Sequence, residues 1–358
     1  MSETGPTAER AEEANRVGPM VQLSHRLERL LGENVYLLVL AALVGVLGGL
    51  GAAVFRWAID LCRWLTHTLR DPAAAGDLVD RLWGEVAPGG ETISALAEAS
   101  WVWKVLPPTV GGLLVGPLIY FLAREAKGHG IPEVMNAVAN RGGRIRKRVM
   151  AVKTLASAIT IGSGGSVGRE GPIVQIGAGM GSSVGQVLGF EGNRLVVIVG
   201  CGAAAGMAAT FNAPIAGVIL AVEVIIGSAS VRVLSPLVVA SVMGTIVARL
   251  LFGDQPAFLD VPEYRLISVV ELPLYVLLGV LSGLAALLFI KGIVFFEDLW
   301  ERLPLPGWIA PAAGGAIVGA IALAFPEVLG VGYETIDVAL RSEGVLWVLA
   351  ALILVKVI

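Results

Sequence analysis

The sequence has few charges, few cysteines and few histidines for its length. Charged residues make up 15% of its 358 residues, and the chain contains 2 cysteines and 3 histidines. Cys62 and Cys201 lie in apolar stretches, so neither a disulfide nor a metal site is expected. The histidines lie far apart, and the chain contains neither a His-Glu-x-x-His sequence nor a Gly-x-x-x-x-Gly-Lys-Ser/Thr loop. We therefore expect no enzyme and no cofactor.

Apolar residues and glycine, by contrast, are abundant. Hydrophobic residues make up 56% of the chain, glycine occurs 46 times, and the mean hydropathy is +0.79. Most of the long uncharged runs can span the roughly 30 Å apolar layer of a bilayer. These runs are residues 35–55, 171–190, 195–222, 233–248, 272–290 and 303–326. Glycine and proline interrupt several of them, which favours a transporter or channel with broken helices over a simple anchor bundle.

The remaining charges indicate how the chain crosses the membrane. Residues 1–33 are polar, and 21–31 have the apolar spacing of a short amphipathic helix. Segment 141–148 carries five basic residues and no acidic one, whereas 71–103 carries six acidic residues and one arginine. The positive-inside rule places the first in the cytoplasm and the second outside, although both are also consistent with ordinary solvated loops. We expect no cleavable signal peptide, a cytoplasmic N-terminus and a location in the inner (plasma) membrane.

Three pairs of short segments repeat in the same order along the chain. The pairs are residues 45–55 with 279–289, 108–116 with 311–319, and 128–130 with 330–332. Convergent packing through small residues explains one such match, but it explains three in the same order poorly. The first copy follows a cytoplasmic N-terminus and the second follows an acidic stretch, so we expect opposite orientations. Inverted repeats place the substrate site near the midplane, at the ends of broken helices.

The stretch 162–177 places one arginine and one glutamate between two apolar, glycine-rich segments. Pro172 suits the first turn of a helix, where a missing N–H costs nothing, so we expect a helix to begin here. Its positive end and unpaired N–H groups would face Glu170 and form an anion site. A glutamate at membrane depth marks an ion or proton path by default. The alternative is a tight glycine turn in which Arg169 and Glu170 pair with each other or lie at an interface.

Three segments resemble the successive signatures of the CLC family of chloride channels and chloride/proton antiporters. They are Gly-His-Gly-Ile-Pro at 128–132, Gly-Arg-Glu-Gly-Pro at 168–172, and Phe-Asn-Ala-Pro-Ile-Ala-Gly-Val-Ile-Leu-Ala-Val-Glu at 211–223. The resemblance covers residues 34–358 and points to a bacterial member. It implies an all-α polytopic membrane protein with the CLC-type inverted-repeat fold of discontinuous, tilted helices. It also implies a homodimer in which each subunit has its own anion pathway.

The resemblance further implies a role for the first two signatures. They would form the selectivity filter, which holds chloride midway across the membrane between helix N-termini. The filter positions would be Gly128, His129, Gly130, Ile131, Pro132, Gly168, Arg169, Glu170, Gly171 and Pro172. The anion would contact His129, Gly130, Ile131, Arg169, Glu170 and Gly171. Glu170 would be the gate, whose carboxylate competes with chloride and swings aside when protonated or displaced. The implied partners are chloride or other small anions, the bilayer and a second copy, with no nucleic acid.

Two positions depart from the family pattern. His129 stands where the family most often has serine, and it could donate an N–H to the anion, become cationic at low pH, or turn to a neighbouring carbonyl. Fluoride exporters also replace this serine but usually lack the proline kept as Pro172, so we favour chloride over fluoride or nitrate. Val224 follows Glu223, where the antiporters carry a proton-passing carboxylate. Valine favours passive conduction gated by Glu170. Proton-coupled exchange, with Glu223 as the relay, is the alternative.

The matches divide the chain into four parts. They are a cytoplasmic N-terminal segment (1–33), a first transmembrane repeat (34–252), an extracellular connection (253–270) and a second inverted repeat (271–358). The chain ends at Ile358, before the place where relatives carry the Gly-x-Phe-x-Pro signature and the tyrosine that touches the central chloride. We therefore expect the second repeat to be incomplete, and a non-conducting fragment or scaffold is a further alternative.

Overall fold

The computed structural model describes residues 18–70, 99–254, 268–340 and 346–356. In these ranges it contains thirteen α-helices and no strand, which confirms the all-α prediction. In chain order they are α1 (Pro19–Leu31), α2 (Glu33–Arg70), α3 (Trp101–Pro117), α4 (Ile131–Arg141), α5 (Lys147–Gly162), α6 (Glu170–Val187), α7 (Gly192–Phe211), α8 (Pro214–Leu220), α9 (Val231–Phe252), α10 (Leu272–Glu301), α11 (Ala310–Ile321), α12 (Tyr333–Leu340) and α13 (Leu346–Val355).

Five helical stretches of the described chain are long and apolar enough to cross a membrane. They are Glu33–Arg70, Trp101–Leu122, Gly192–Phe211, Val231–Phe252 and Val269–Glu301. Four of them coincide with uncharged runs of the sequence. The fifth, Trp101–Leu122, was missing from those runs. It is a helix although three prolines interrupt it, and its Lys104 is only 8% exposed. Proline is tolerated in membrane helices where neighbours cover the freed backbone groups.

Two of the uncharged runs fold differently from the expected single spans. The run 195–222 is divided by Asn212, whose φ of 52° ends α7 and lets Pro214 begin α8. Asparagine accepts this left-handed conformation more readily than most residues. The run 303–326 contains the 12-residue α-helix α11, which uses only half of the length that the run offers. Discontinuous helices are therefore observed in both halves.

The centre of the molecule is formed by α6 and α7, whose backbones are in direct contact. A methyl group added at Gly177 would collide with the carbonyl oxygen of Gly202, and one added at Gly202 would collide with that of Gly177. Small residues allow this approach between membrane helices, where dispersion contacts replace the hydrophobic effect as the driving force. Several fully buried side chains surround the contact, among them Val174, Ile198 and Leu195. The start of α6 therefore belongs to a helix that is tightly packed against α7.

The second pair of repeated segments meets across α3 and α11. A methyl group at Gly112 would collide with the carbonyl oxygen of Pro311, and one at Gly315 would collide with that of Pro108. Gly112 and Gly315 occupy the same position in their two copies, and so do Pro108 and Pro311. The contact is thus reciprocal, as a two-fold relation between the copies requires. The boundaries assigned to the four parts of the chain stay a prediction.

Candidate functional site

The Arg-Glu pair lies where the turn after α5 enters α6. The helix begins at Glu170, and its first backbone hydrogen bond runs from the N–H of Ile173 to the carbonyl of Arg169, over 3.1 Å. Pro172 is buried in the first turn, where it costs no hydrogen bond. Arg169 and Glu170 are both half-buried. The helix start predicted from the sequence is therefore confirmed, with both charged side chains at its positive end.

The carboxylate of Glu170 has two close neighbours, Tyr333 and Gly168. Its Oε1 accepts a hydrogen bond of 2.9 Å from the hydroxyl of Tyr333, the first residue of α12. Its Oε2 lies so close to Gly168 that a methyl group there would collide with it. The side chain is thus folded back over the turn that precedes its own helix, because position 168 carries no side chain.

Arg169 approaches the same tyrosine. Its Nε donates to the Tyr333 hydroxyl oxygen over 3.3 Å, and its guanidinium lies 4.7 Å from the centre of the tyrosine ring. On another side the guanidinium lies 5.6 Å from the ring centre of Phe211, the last residue of α7. Tyr333 therefore connects the two charged side chains, for which sequence reasoning had considered direct pairing. Sequence reasoning did not identify Tyr333.

The first signature forms the loop before α4 and packs against the second. Gly128 and Gly130 have φ values of 82° and 93°, a region that strongly favours glycine. A methyl group at Gly130 would lie 2.8 Å from the carbonyl oxygen of Gly171, and one at Gly171 would collide with the carbonyl oxygen of His129. The N-termini of α4 and α6 therefore meet backbone to backbone. Each presents unpaired N–H groups and the positive end of a helix.

Lys153 on α5 forms hydrogen bonds to this loop, and the sequence analysis did not identify it. Lys153 is only 4% exposed. Its Nζ donates to the carbonyl of Gly128 over 2.6 Å and to that of Ala126 over 3.1 Å. A single lysine within an apolar helix is costly unless it is paired, and this cost is the signal that could have identified it. In the second half, Lys356 has a related position, because a methyl group at Gly332 would lie 2.5 Å from its Nζ.

The remaining predicted site residues lie apart from Glu170. The side chain of His129 is exposed, while its carbonyl oxygen faces Gly171. Glu223 and Val224 lie on a π-helical continuation of α8, Ala221–Ile226, which packs against α4 and α7. Both are exposed, and Val224 is 38% exposed. The roles given to these residues stay predictions.

The described part of the chain contains no group of three or more His, Cys, Asp or Glu side chains that could hold a metal ion. Gln175 is a further residue that the sequence did not single out. It is 1% exposed on α6, and a methyl group at Gly130 would lie 3.0 Å from its Oε1. Its Nε2 faces the carbonyl of Glu125 at 3.4 Å. Gln175 thus lies behind the contact between the two signature loops.

Comparison with known proteins identifies relatives along most of the chain. Residues 111–358 match the family model described as voltage gated chloride channel. The chain is 33% identical over 325 residues to a ClcB-like chloride channel protein of Ralstonia nicotianae, covering 89% of this chain and 70% of that one. It is 32% identical to chloride channel protein CLC-e of Arabidopsis thaliana, over 85% of this chain and 42% of that one.

Two solved structures have the same fold. One is a slow cyanobacterial Cl⁻/H⁺ antiporter, with a TM-score of 0.72 and 25% identity, covering 90% of this chain and 72% of that chain. The other is a CLC-type fluoride/proton antiporter, with a TM-score of 0.69 and 22% identity over 90% of this chain and 74% of that one. These likenesses confirm the helical fold predicted from the resemblance.

Proposed function

The chain belongs to the voltage-gated chloride channel (CLC) family, and we propose that it moves small anions, chloride foremost, past a gate formed by Glu170. The observation that carries the proposal is the contact between the N-termini of α4 and α6. Gly130 and Gly171 bring the two helix starts into van der Waals contact, and Glu170 is the first residue of α6. The positive ends of two helices this close together favour an anion beside them.

The physical chemistry of the site suits conduction. Partial charges from helix ends bind an anion without holding it as tightly as full cations would, so the ion can leave again. An ionised carboxylate mimics the anion and competes for the same donors. Protonation removes that competition, so anion flux should rise as the pH falls. His129, with its exposed side chain, is proposed to add an N–H donor beside the loop, which agrees with the choice of chloride.

We favour passive, channel-like conduction over proton coupling. Val224 has no group that could pass a proton, and Glu223 next to it lies on a segment that packs against α4 and α7. Proton-coupled exchange is the second candidate, because one structure with this fold is described as a Cl⁻/H⁺ antiporter. In that case exposed Glu223 would be the internal proton donor.

The topology proposal also has structural support. Glu28 on α1 pairs with Arg194 at the start of α7, and Arg144 of the basic segment pairs with Glu191 just before that helix at 2.5 Å. The N-terminal helix and the basic segment 141–148 therefore lie at the same end of the molecule. We propose that this end faces the cytoplasm, in the inner (plasma) membrane, and that the protein works as a homodimer.

The coupling is tested with the full-length protein in liposomes under a chloride gradient. Proton movement is measured with a pH dye while chloride efflux is measured with a selective electrode. We expect chloride efflux without proton uptake. Proton uptake against the proton gradient would contradict passive conduction and favour proton-coupled exchange.

The gate is tested with Glu170→Gln, which resembles a permanently protonated carboxyl. We expect chloride efflux to rise several-fold at neutral pH and to lose its pH dependence. Glu297→Gln, an exposed glutamate on α10, is the matched control and should behave as the wild type does. Unchanged efflux with an unchanged pH response in Glu170→Gln would contradict the gate assignment. Protection of the purified protein by chloride against thermal unfolding separates a retained anion site from a scaffold.

A further inference from the structure

We propose that Tyr333 is the positioning residue that holds the gate in its resting place, so that the second half of the chain sets the resting state of a gate in the first half. The inference rests on the proposed role of Glu170. It adds a residue that neither signature contains and assigns a function to the second copy of the Gly-x-Gly repeat.

The hydrogen bonds at Tyr333 have directions fixed by chemistry. A guanidinium has only donors and an ionised carboxylate has only acceptors, while the tyrosine hydroxyl has one hydrogen and two lone pairs. Arg169 must therefore donate to Tyr333, and Tyr333 must give its single hydrogen to Glu170. A hydroxyl that accepts from a cation is a stronger donor to an anion, because the bonds in such a chain polarise one another. The arrangement favours the ionised form of Glu170 in its present position.

The backbone fixes Tyr333 in place. The N–H of Gly330 donates to the carbonyl of Gly164 over 3.1 Å, which joins the loop before α12 to the turn before α6. Between them Val331 packs against the buried cluster that contains Ile161 and Ile173. Gly332 has a φ of 88°, which places α12 immediately after this anchor. Tyr333 therefore has little freedom to move away when the carboxylate does.

The groups near the Glu170 carboxylate and its contact with Tyr333 come from four elements. Arg169 lies on its own turn and Tyr333 on α12, while Arg56 on α2 is close enough to Arg169 to interact with it electrostatically. Lys356, which follows α13, lies beside Gly332. Arg56 is itself paired with Asp60 at 3.9 Å, which offsets its charge, whereas Arg169 and Lys356 are cations that favour an ionised carboxylate in general. Tyr333 differs from them because, within the described chain, its hydroxyl supplies a directional hydrogen bond that selects one position of Glu170.

The test is Tyr333→Phe in the full-length protein, reconstituted in liposomes and measured for chloride efflux across a range of pH. Phenylalanine keeps the ring beneath Arg169 and removes only the hydroxyl. We expect efflux at neutral pH to rise several-fold and the pH of half-maximal efflux to rise by about one unit, the size expected for one lost hydrogen bond. Tyr275→Phe, at an exposed tyrosine of α10, is the matched control and should leave both values unchanged.

A second background separates this inference from the gate assignment. In Glu170→Ala there is no carboxylate to position, so adding Tyr333→Phe should change nothing further. A wild-type pH profile for Tyr333→Phe would overturn the proposal, and so would an equal increase in both backgrounds, because Tyr333 would then act without Glu170. If Glu170→Ala itself kept wild-type efflux and pH response, the gate assignment would fail instead.

Discussion

The opening helices of the two copies have matching glycines in different surroundings. In α2, a methyl group at Gly45 would lie 2.5 Å from the carbonyl oxygen of Ala240 on α9, and one at Gly49 would lie 2.9 Å from that of Gly244. In α10, the corresponding Gly279 and Gly283 have nothing within 4 Å among the described residues. The glycine pattern therefore permits another helix to pack closely against this one. Whether a helix does so depends on the neighbouring elements of the fold.

The largest effect is expected where the two copies contact each other. Gly112→Ala and Gly315→Ala each place a methyl group against a backbone carbonyl that has no freedom to yield. We expect each to lower the free energy of unfolding by about 3 kcal/mol, and by similar amounts because the contact is reciprocal. Thermal unfolding in detergent measures this. Gly314→Ala, beside the contact and with no atom closer than 4.0 Å, is the control. A large difference between the two variants would contradict the two-fold relation.

A smaller effect should separate the opening helices. Gly45→Ala introduces a methyl group into the contact with α9 and should cost about 1–3 kcal/mol of stability. Gly279→Ala should cost nothing, since alanine fits an exposed helix position at least as well as glycine. The same unfolding assay compares them. Equal losses would mean that the surroundings of α10 resemble those of α2 after all.

The smallest effect concerns the charged pair that joins α1 to the start of α7. Arg194 donates a hydrogen bond to Glu28, and this bond lowers the pKa of the Glu28 carboxyl below its usual 4.5. A lowered folded-state pKa means that the contribution to stability is complete above the ordinary value and is lost as the pH falls through the folded value. After correction for the intrinsic pH dependence of amide exchange, we expect the amides of α1 to be less protected at pH 3.5 than at pH 6, by under about 1 kcal/mol for a part-buried surface pair.

Hydrogen exchange followed by mass spectrometry measures this change on residues 19–31. Glu28→Gln should show the lower protection at both pH values, because it has no carboxylate to lose. The start of α10, where Ser268 and Glu271 form a capping box within one short segment, is the internal comparison. Equal protection of α1 at both pH values in the wild type would contradict a stabilising role for the Glu28–Arg194 pair.

The sequence predicted much of the fold because membrane helices leave a direct record in composition. Long uncharged runs identified four of the five spans, and the repeated glycines identified the two segments that meet where α3 packs on α11, although not the contact itself. It failed where the backbone depends on single residues. Asn212 ends a helix within an uninterrupted apolar run, and the run containing α11 gives only 12 helical residues.

The site was predictable only in part. The two signatures, read with the physics of helix ends, led to Glu170 and to the glycines that meet it. Tyr333 is separated from Glu170 by 163 positions along the chain, and no local pattern predicts that contact. Lys153 could in principle have been identified from the sequence, because a charge in an apolar helix is costly unless it has a partner. Its partners are backbone carbonyls, which have no signature in a sequence.

The empty position at Gly168 has a genetic consequence. The Glu170 carboxylate occupies the space that any side chain at 168 would fill, and it is the flexible end of its side chain rather than a rigid part of the backbone. We therefore expect Gly168→Ala to displace the Glu170 carboxylate, the proposed gate, and to leave the fold in place. The position of the Glu170 side chain thus depends on a neighbouring residue that has no side chain of its own. A mutation that alters anion transport can therefore lie at Gly168 rather than at Glu170.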